Sequence, residues 1–174
     1  MKITIFGRPG SGKSTFAIAL AQKLGLPVHH LDKYFFTANW VQRDYEEFRD
    51  IQYNLVAQKK WIIDGNSLQS LHIRYSESDV CIYFNYPRWL CLLRMIKRRF
   101  MKGSAIDDRA VGCKERIRWS LIKYMWMFEY RLNNHLALQL KILAEMYPEV
   151  TFYTVHNDKE LQELMNRLLV SNEL

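Results

Sequence analysis

Lys13 and Ser14 directly follow Gly12, with Gly7 and Gly10 just ahead, in the stretch "GRPGSGKST" over residues 7–15. A lysine, a hydroxyl and several glycines at this spacing fit G-x-x-x-x-G-K-[ST], the pattern of a loop that holds phosphate. Glycines let successive backbone N–H groups turn inward onto phosphate oxygens. Lys13 would add a positive charge near the β- and γ-phosphates of ATP, and the Ser14 hydroxyl would ligate the accompanying Mg2+. The residues expected to touch the nucleotide are Gly7, Arg8, Pro9, Gly10, Ser11, Gly12, Lys13, Ser14 and Thr15. An ordinary glycine-rich turn is the other reading, but it needs no Lys-Ser pair at its end.

Such a loop works between a strand and a helix whose positive dipole end faces the anion. "KITIF" ahead of it is a short apolar run of the kind that forms a buried parallel strand. Behind it, Phe16, Leu20 and Leu24 recur four apart and Gly25 is a stop signal, predicting a helix over 14–24. Further strands are expected at 26–32, 61–65, 79–85 and 150–155, and further helices at 44–59, 88–101, 114–146 and 158–170. Strand alternating with helix predicts an α/β fold with a parallel sheet covered on both faces. In the 114–146 helix, a stripe from Leu121 to Leu143 and a second one of Trp119, Ile122, Trp126 and Tyr130 make a wide apolar face. Core packing explains those aromatics, with base stacking or a subunit surface as the alternatives.

Ligands of open α/β sheets sit beyond the carboxyl ends of the strands, so the carboxylates there matter most. "WIIDG" is a hydrophobic run ending in Asp64, the form of a magnesium-holding element; a turn-capping Asp is the alternative. Asp32, expected to close the second strand, lies where an acceptor hydroxyl would meet it and give up or share its proton. Helix capping or a salt bridge would also explain it. His29 and His30 precede it, and adjacent strand residues must face opposite ways.

The 174 residues, 49% hydrophobic, suit a single domain over 1–174. Three cysteines, Cys81, Cys91 and Cys113, show no C-x-x-C spacing, which points to reduced thiols and a cytoplasmic setting. No run is long enough to span a membrane, and no signal peptide is expected. The net charge is +7, and residues 88–118 hold ten basic side chains against three acidic ones, the whole of that excess. A basic stretch of this kind binds nucleic acid, coats a membrane surface or closes over a nucleoside triphosphate; its place after a phosphate loop favours the last. Arg94 and Arg98 share a helical face with Lys97 and Arg99 beside them, so the cluster reads as a phosphate clamp, and "KGSAIDD" as the tip of a lid spanning about 98–118.

With these residues placed, the chain resembles the adenylate kinase-like group of nucleoside monophosphate kinases. The likeness is most specific in the lid: Arg94 and Arg98, then Asp107 and Asp108, and after seven residues Arg116. It implies a three-layer P-loop NTPase fold with a five-stranded parallel sheet in the order 2-3-1-4-5. It implies too that Arg98 or Arg99 and Arg116 contact the phosphoryl groups, and that His156 and Asn157 pass the adenine. "IFGRPGSGKST", "GLPVHHLDKYFF", "WIIDGN" and "YPRWLCLLRMIKRR" also resemble, in order, the DNA topology modulation proteins (FlaR-related) over nearly the whole chain. Where adenylate kinases carry an arginine that grips the acceptor monophosphate, this chain reads Asn66-Ser67, leaving Arg43 and Arg74 to take its place. "HLD" is closer to nucleoside and small-metabolite kinases. The expectation is an ATP- and Mg2+-dependent kinase of a nucleotide, nucleoside or small metabolite; the second reading is a nucleic-acid-linked ATPase or regulator.

Overall fold

The computed structural model describes residues 1–100 and 135–171. Arg116, Cys113, the lid tip and most of the helix expected over 114–146 lie outside the described residues, as does the side chain of Arg99.

Five short strands, β1 (Lys2–Gly7), β2 (Val28–His30), β3 (Trp61–Asp64), β4 (Val80–Phe84) and β5 (Thr151–Val155), form one sheet in the order β2-β3-β1-β4-β5. Every pairing is parallel, with Ile5 opposite Asp64 on one side and Ile82 on the other. The helices are α1 (Lys13–Leu24), α2 (Leu31–Phe35), α3 (Tyr45–Val56), α4 (Leu71–Tyr75), α5 (Arg88–Phe100), α6 (Ala137–Met146) and α7 (Asp158–Ser171).

Side chains alternate across each strand, and the two faces receive different helices. Ile3 and Ile5 of β1 with Ile82 and Phe84 of β4 pack against Phe16, Ala17 and Leu20 of α1 and Leu164, Met165 and Leu168 of α7. On the opposite face, Phe6, Cys81 and Tyr83 meet Leu71 and Tyr75 of α4 and Leu143 of α6. Trp61 and Ile63 of β3 meet Phe48, Leu55 and Val56 of α3 on that side. This double coverage is why the strands read as continuous apolar runs in the sequence. Cys81 is free, and burial pushes its thiol up to about 12.

The fold is the expected α/β sandwich, with one correction that bears on the site. The apolar run 26–32 is strand only over Val28–His30, and Asp32 stands in the first turn of α2, not at the end of β2. An acid there faces the positive end of the helix dipole, which favours helix from Leu31 onward.

Candidate active site

The phosphate loop runs from the carboxyl end of β1 into α1, and its backbone explains two of its glycines. A Cβ on Gly7 would lie 2.4 Å from the Phe84 carbonyl oxygen. At Gly10, where φ is +79°, a Cβ would lie 2.6 Å from the Cys91 carbonyl oxygen and 2.8 Å from Met95 Cγ. The loop is therefore pressed against β4 and α5 as closely as bare backbone allows. Ser11 N donates to the Arg8 carbonyl at 3.2 Å, and Lys13 Nζ donates to the same oxygen at 3.1 Å, drawing the ammonium back across the loop. Arg8 and Ser11 are buried, Pro9, Gly10, Gly12, Lys13 and Ser14 half-buried, and Thr15 exposed.

Beneath the loop the ends of β2 and β3 converge on one carboxylate. Asp64, 4% exposed, accepts on Oδ2 from Ser14 Oγ at 2.7 Å and from His30 Nδ1 at 3.1 Å. Its Oδ1 is also buried and, among the described residues, has no hydrogen-bond partner. A hydroxyl beside a carboxylate with one uncommitted oxygen is a hard-oxygen donor set that fits Mg2+. The described residues hold no cluster of three His, Cys, Asp or Glu side chains, so the remaining positions around such an ion would fall to water and phosphate oxygens, as Mg2+ prefers. His29 turns the other way, with Nδ1 3.0 Å from the Tyr34 hydroxyl.

The loop after β3 is knitted into the same floor. Asn66 Oδ1 accepts from Gly7 N at 2.8 Å, bracing the start of the phosphate loop. Arg74, fully buried, donates to the Gly65 carbonyl at 3.3 Å, the Ser67 carbonyl at 3.3 Å and Gln52 Oε1 at 2.9 Å. Burial lowers its guanidinium to about 10 while the nearby charge of Asp64 opposes the fall. Arg43 Nε donates to the Tyr34 carbonyl at 2.8 Å, and its NH1 pairs with Glu47. Neither arginine is thus presented as an open grip for an acceptor phosphate.

On the far side of the loop, Arg94 of α5 donates to the Ser11 carbonyl at 2.8 Å and to both carboxylate oxygens of Asp158, at 2.8 and 2.7 Å. Its guanidinium lies 4.8 Å from the centre of the Tyr86 ring, and the Tyr86 hydroxyl donates to Asp158 at 2.9 Å. The Arg94 hydrogen bond holds the Asp158 carboxyl below its ordinary value, and burial pushes the Tyr86 hydroxyl up. Arg94, expected as part of a phosphate clamp, is instead bound to the protein itself. Arg98, one turn on, is half-buried. His156 and Asn157 follow β5 at the sheet's carboxyl edge, exposed, and both bond the Glu160 carboxylate; Asn157 Oδ1 accepts from Glu160 N at 3.0 Å and so caps α7. No motif in the sequence gives Asn66, Asp158, Tyr86 or His30 these contacts, which arise only from the folded arrangement.

The model for the AAA family, ATPase family associated with various cellular activities, matches residues 3–64, from β1 through the phosphate loop to Asp64. No curated protein matches the chain. Among solved structures, shikimate kinase from Aquifex aeolicus vf5 is 19% identical with a TM-score of 0.58, covering 99% of this chain and 96% of its own. Shikimate kinase from Acinetobacter baumannii in complex with shikimate is 20% identical with a TM-score of 0.58, covering 99% and 94%. A gluconokinase from Sinorhizobium meliloti 1021 is 14% identical with a TM-score of 0.57, covering 99% and 91%. At these identities the likeness is one of fold: the chain has a P-loop NTPase fold, shared with kinases of small molecules.

Proposed function

We propose that this chain is an ATP- and Mg2+-dependent phosphotransferase acting on a small hydroxyl compound. The observation that carries the reading is the 2.7 Å contact between Ser14 and Asp64 below a glycine loop at the carboxyl edge of the sheet. A loop serine paired with a strand-end aspartate is the donor pair that holds the metal in phosphoryl-transfer sites. The loop amides and Lys13 bind the β- and γ-phosphates. Bound Mg2+ would offset charge on those oxygens and hold them in line. Asp32 accepts the proton of the acceptor hydroxyl as its oxygen bonds the γ-phosphorus and the bond from that phosphorus to the leaving ADP oxygen breaks. Arg98, Arg99 and Arg116, on a lid of about 98–118, neutralise the transferred group and exclude water. The chain would work as one kinase-like domain over 1–174, in the cytoplasm, with His156 and Asn157 beside the adenine.

The kinase likeness of the fold supports this reading over a nucleic-acid-directed ATPase, the other role that the topology modulation resemblance brings. Incubation with ATP, Mg2+ and a panel of metabolites tests it. An acceptor should raise ADP release well above the Lys13→Ala background; if none does, the proposal fails.

A further inference from the structure

After the end of β2 the chain carries a carboxylate followed by a string of aromatic rings. Asp32 is exposed on the first turn of α2. From three residues on, Phe35 and Phe36 meet edge to face at 4.8 Å, and Phe36 meets Trp40 at 5.2 Å. The segment 36–42 is closed by an antiparallel bridge between Phe36 and Gln42 and by Thr37 N donating to the Val41 carbonyl at 2.8 Å. Asn39 and Trp40 are both held at positive φ, +59° and +63°, a conformation that side-chain-bearing residues adopt only where their surroundings impose it.

The charges on this edge point the same way. Arg43 commits Nε to the Tyr34 carbonyl and NH1 to Glu47, and Arg74 lies fully buried on the Gly65 and Ser67 carbonyls. A phosphate or carboxylate on the acceptor would therefore approach Asp32 with both arginines already engaged. A phosphate acceptor would also bring no proton for Asp32 to take, because its attacking oxygen is already ionised, whereas an alcohol has one to lose. Among the described residues Lys33 is the cation of α2 itself, turned about 100° from Asp32 around the helix.

Resting on the kinase reading above, we infer that the acceptor is an uncharged hydroxyl compound carrying a flat ring, of the nucleoside class, and not a nucleoside monophosphate or a sugar acid. The hydroxyl faces Asp32 and the ring lies against the Phe36–Trp40 rim. The acceptor oxygen gains the γ-phosphoryl group, its proton goes to Asp32, and ADP leaves.

The test is ADP formation by the full chain with ATP and Mg2+, comparing nucleosides, their 5′-monophosphates and gluconate, with the phosphorylated product identified by mass spectrometry. kcat/KM for a nucleoside should lie at least about tenfold above that for its monophosphate and for gluconate. Trp40→Ala should raise the nucleoside KM about tenfold with the ATP KM unchanged, and Trp40→Phe should recover most of it. A preference for the monophosphate or gluconate overturns the inference and leaves the kinase reading standing. So does a preference for a monophosphate that Lys33→Ala abolishes. Absence of transfer to all of these overturns the inference, and the kinase reading falls with it only if the wider metabolite panel also gives no ADP above background.

Discussion

Among the described residues Asp64 accepts two hydrogen bonds on one oxygen and none on the other, so the direction in which its second oxygen points depends on Ser14 and His30. Ser14 is the residue that would turn to the metal, which leaves His30 as the fixed partner. Losing such an outer partner costs a metal site about 10- to 100-fold in affinity. His30→Asn should accordingly raise the Mg2+ concentration for half-maximal ADP release by that factor, with the KM for saturated Mg2+-ATP little changed. A magnesium titration that superimposes on the unmutated protein's would remove His30 from this role. Lys13, Ser14 and Asp64 were legible in the sequence because their chemistry demands fixed residue types at fixed offsets from a glycine loop or a strand end. His30 was not, because its contact with Asp64 exists only once β2 pairs with β3, placing His30 opposite Asp64.

At the scale of elements, the phosphate loop is held from both flanks: Asn66 braces Gly7 from the loop after β3, and Arg94 ties Ser11 to Asp158 at the start of α7. The second tie has a pH signature. Asp158 is more acidic in the folded chain than its ordinary value near 3.8, so the stability it contributes is present above that value and is lost as pH falls through the lowered one. Asp158→Asn should lower stability at pH 7 by up to ~1 kcal/mol, as expected for a largely exposed pair. The gap between mutant and parent in thermal unfolding should close below about pH 4. A gap that persists at acid pH would show that the carboxylate charge is not what matters. The period of Phe16, Leu20 and Leu24 made α1 readable, whereas α2 and α4, five residues each, are too short to show a helical repeat. That is why the apolar run through Leu31 read as strand and carried Asp32 with it.

Across the whole molecule, the order β2-β3-β1-β4-β5 sets the glycine loop at the centre of the sheet, with Asp64 on the neighbouring strand and Asp32 in the helix that follows the strand beyond it. The sequence implied this order through resemblance; the apolar strand runs alone called only for a parallel sheet with two covered faces. What no local pattern could show is which charges the folded chain would consume, since Arg43, Arg74 and Arg94 look alike as sequence and each finds its partner through tertiary contact. Among the described residues those three arginines are engaged in this way, so the proposed anion site rests on Lys13 and the loop amides. Calorimetric titration of Mg2+-ATP into the full chain and into Lys13→Ala is the most direct measurement. A single site per chain is expected, weakened about 10- to 100-fold by the substitution. No heat of binding to the parent, or equal affinity in both proteins, would contradict it.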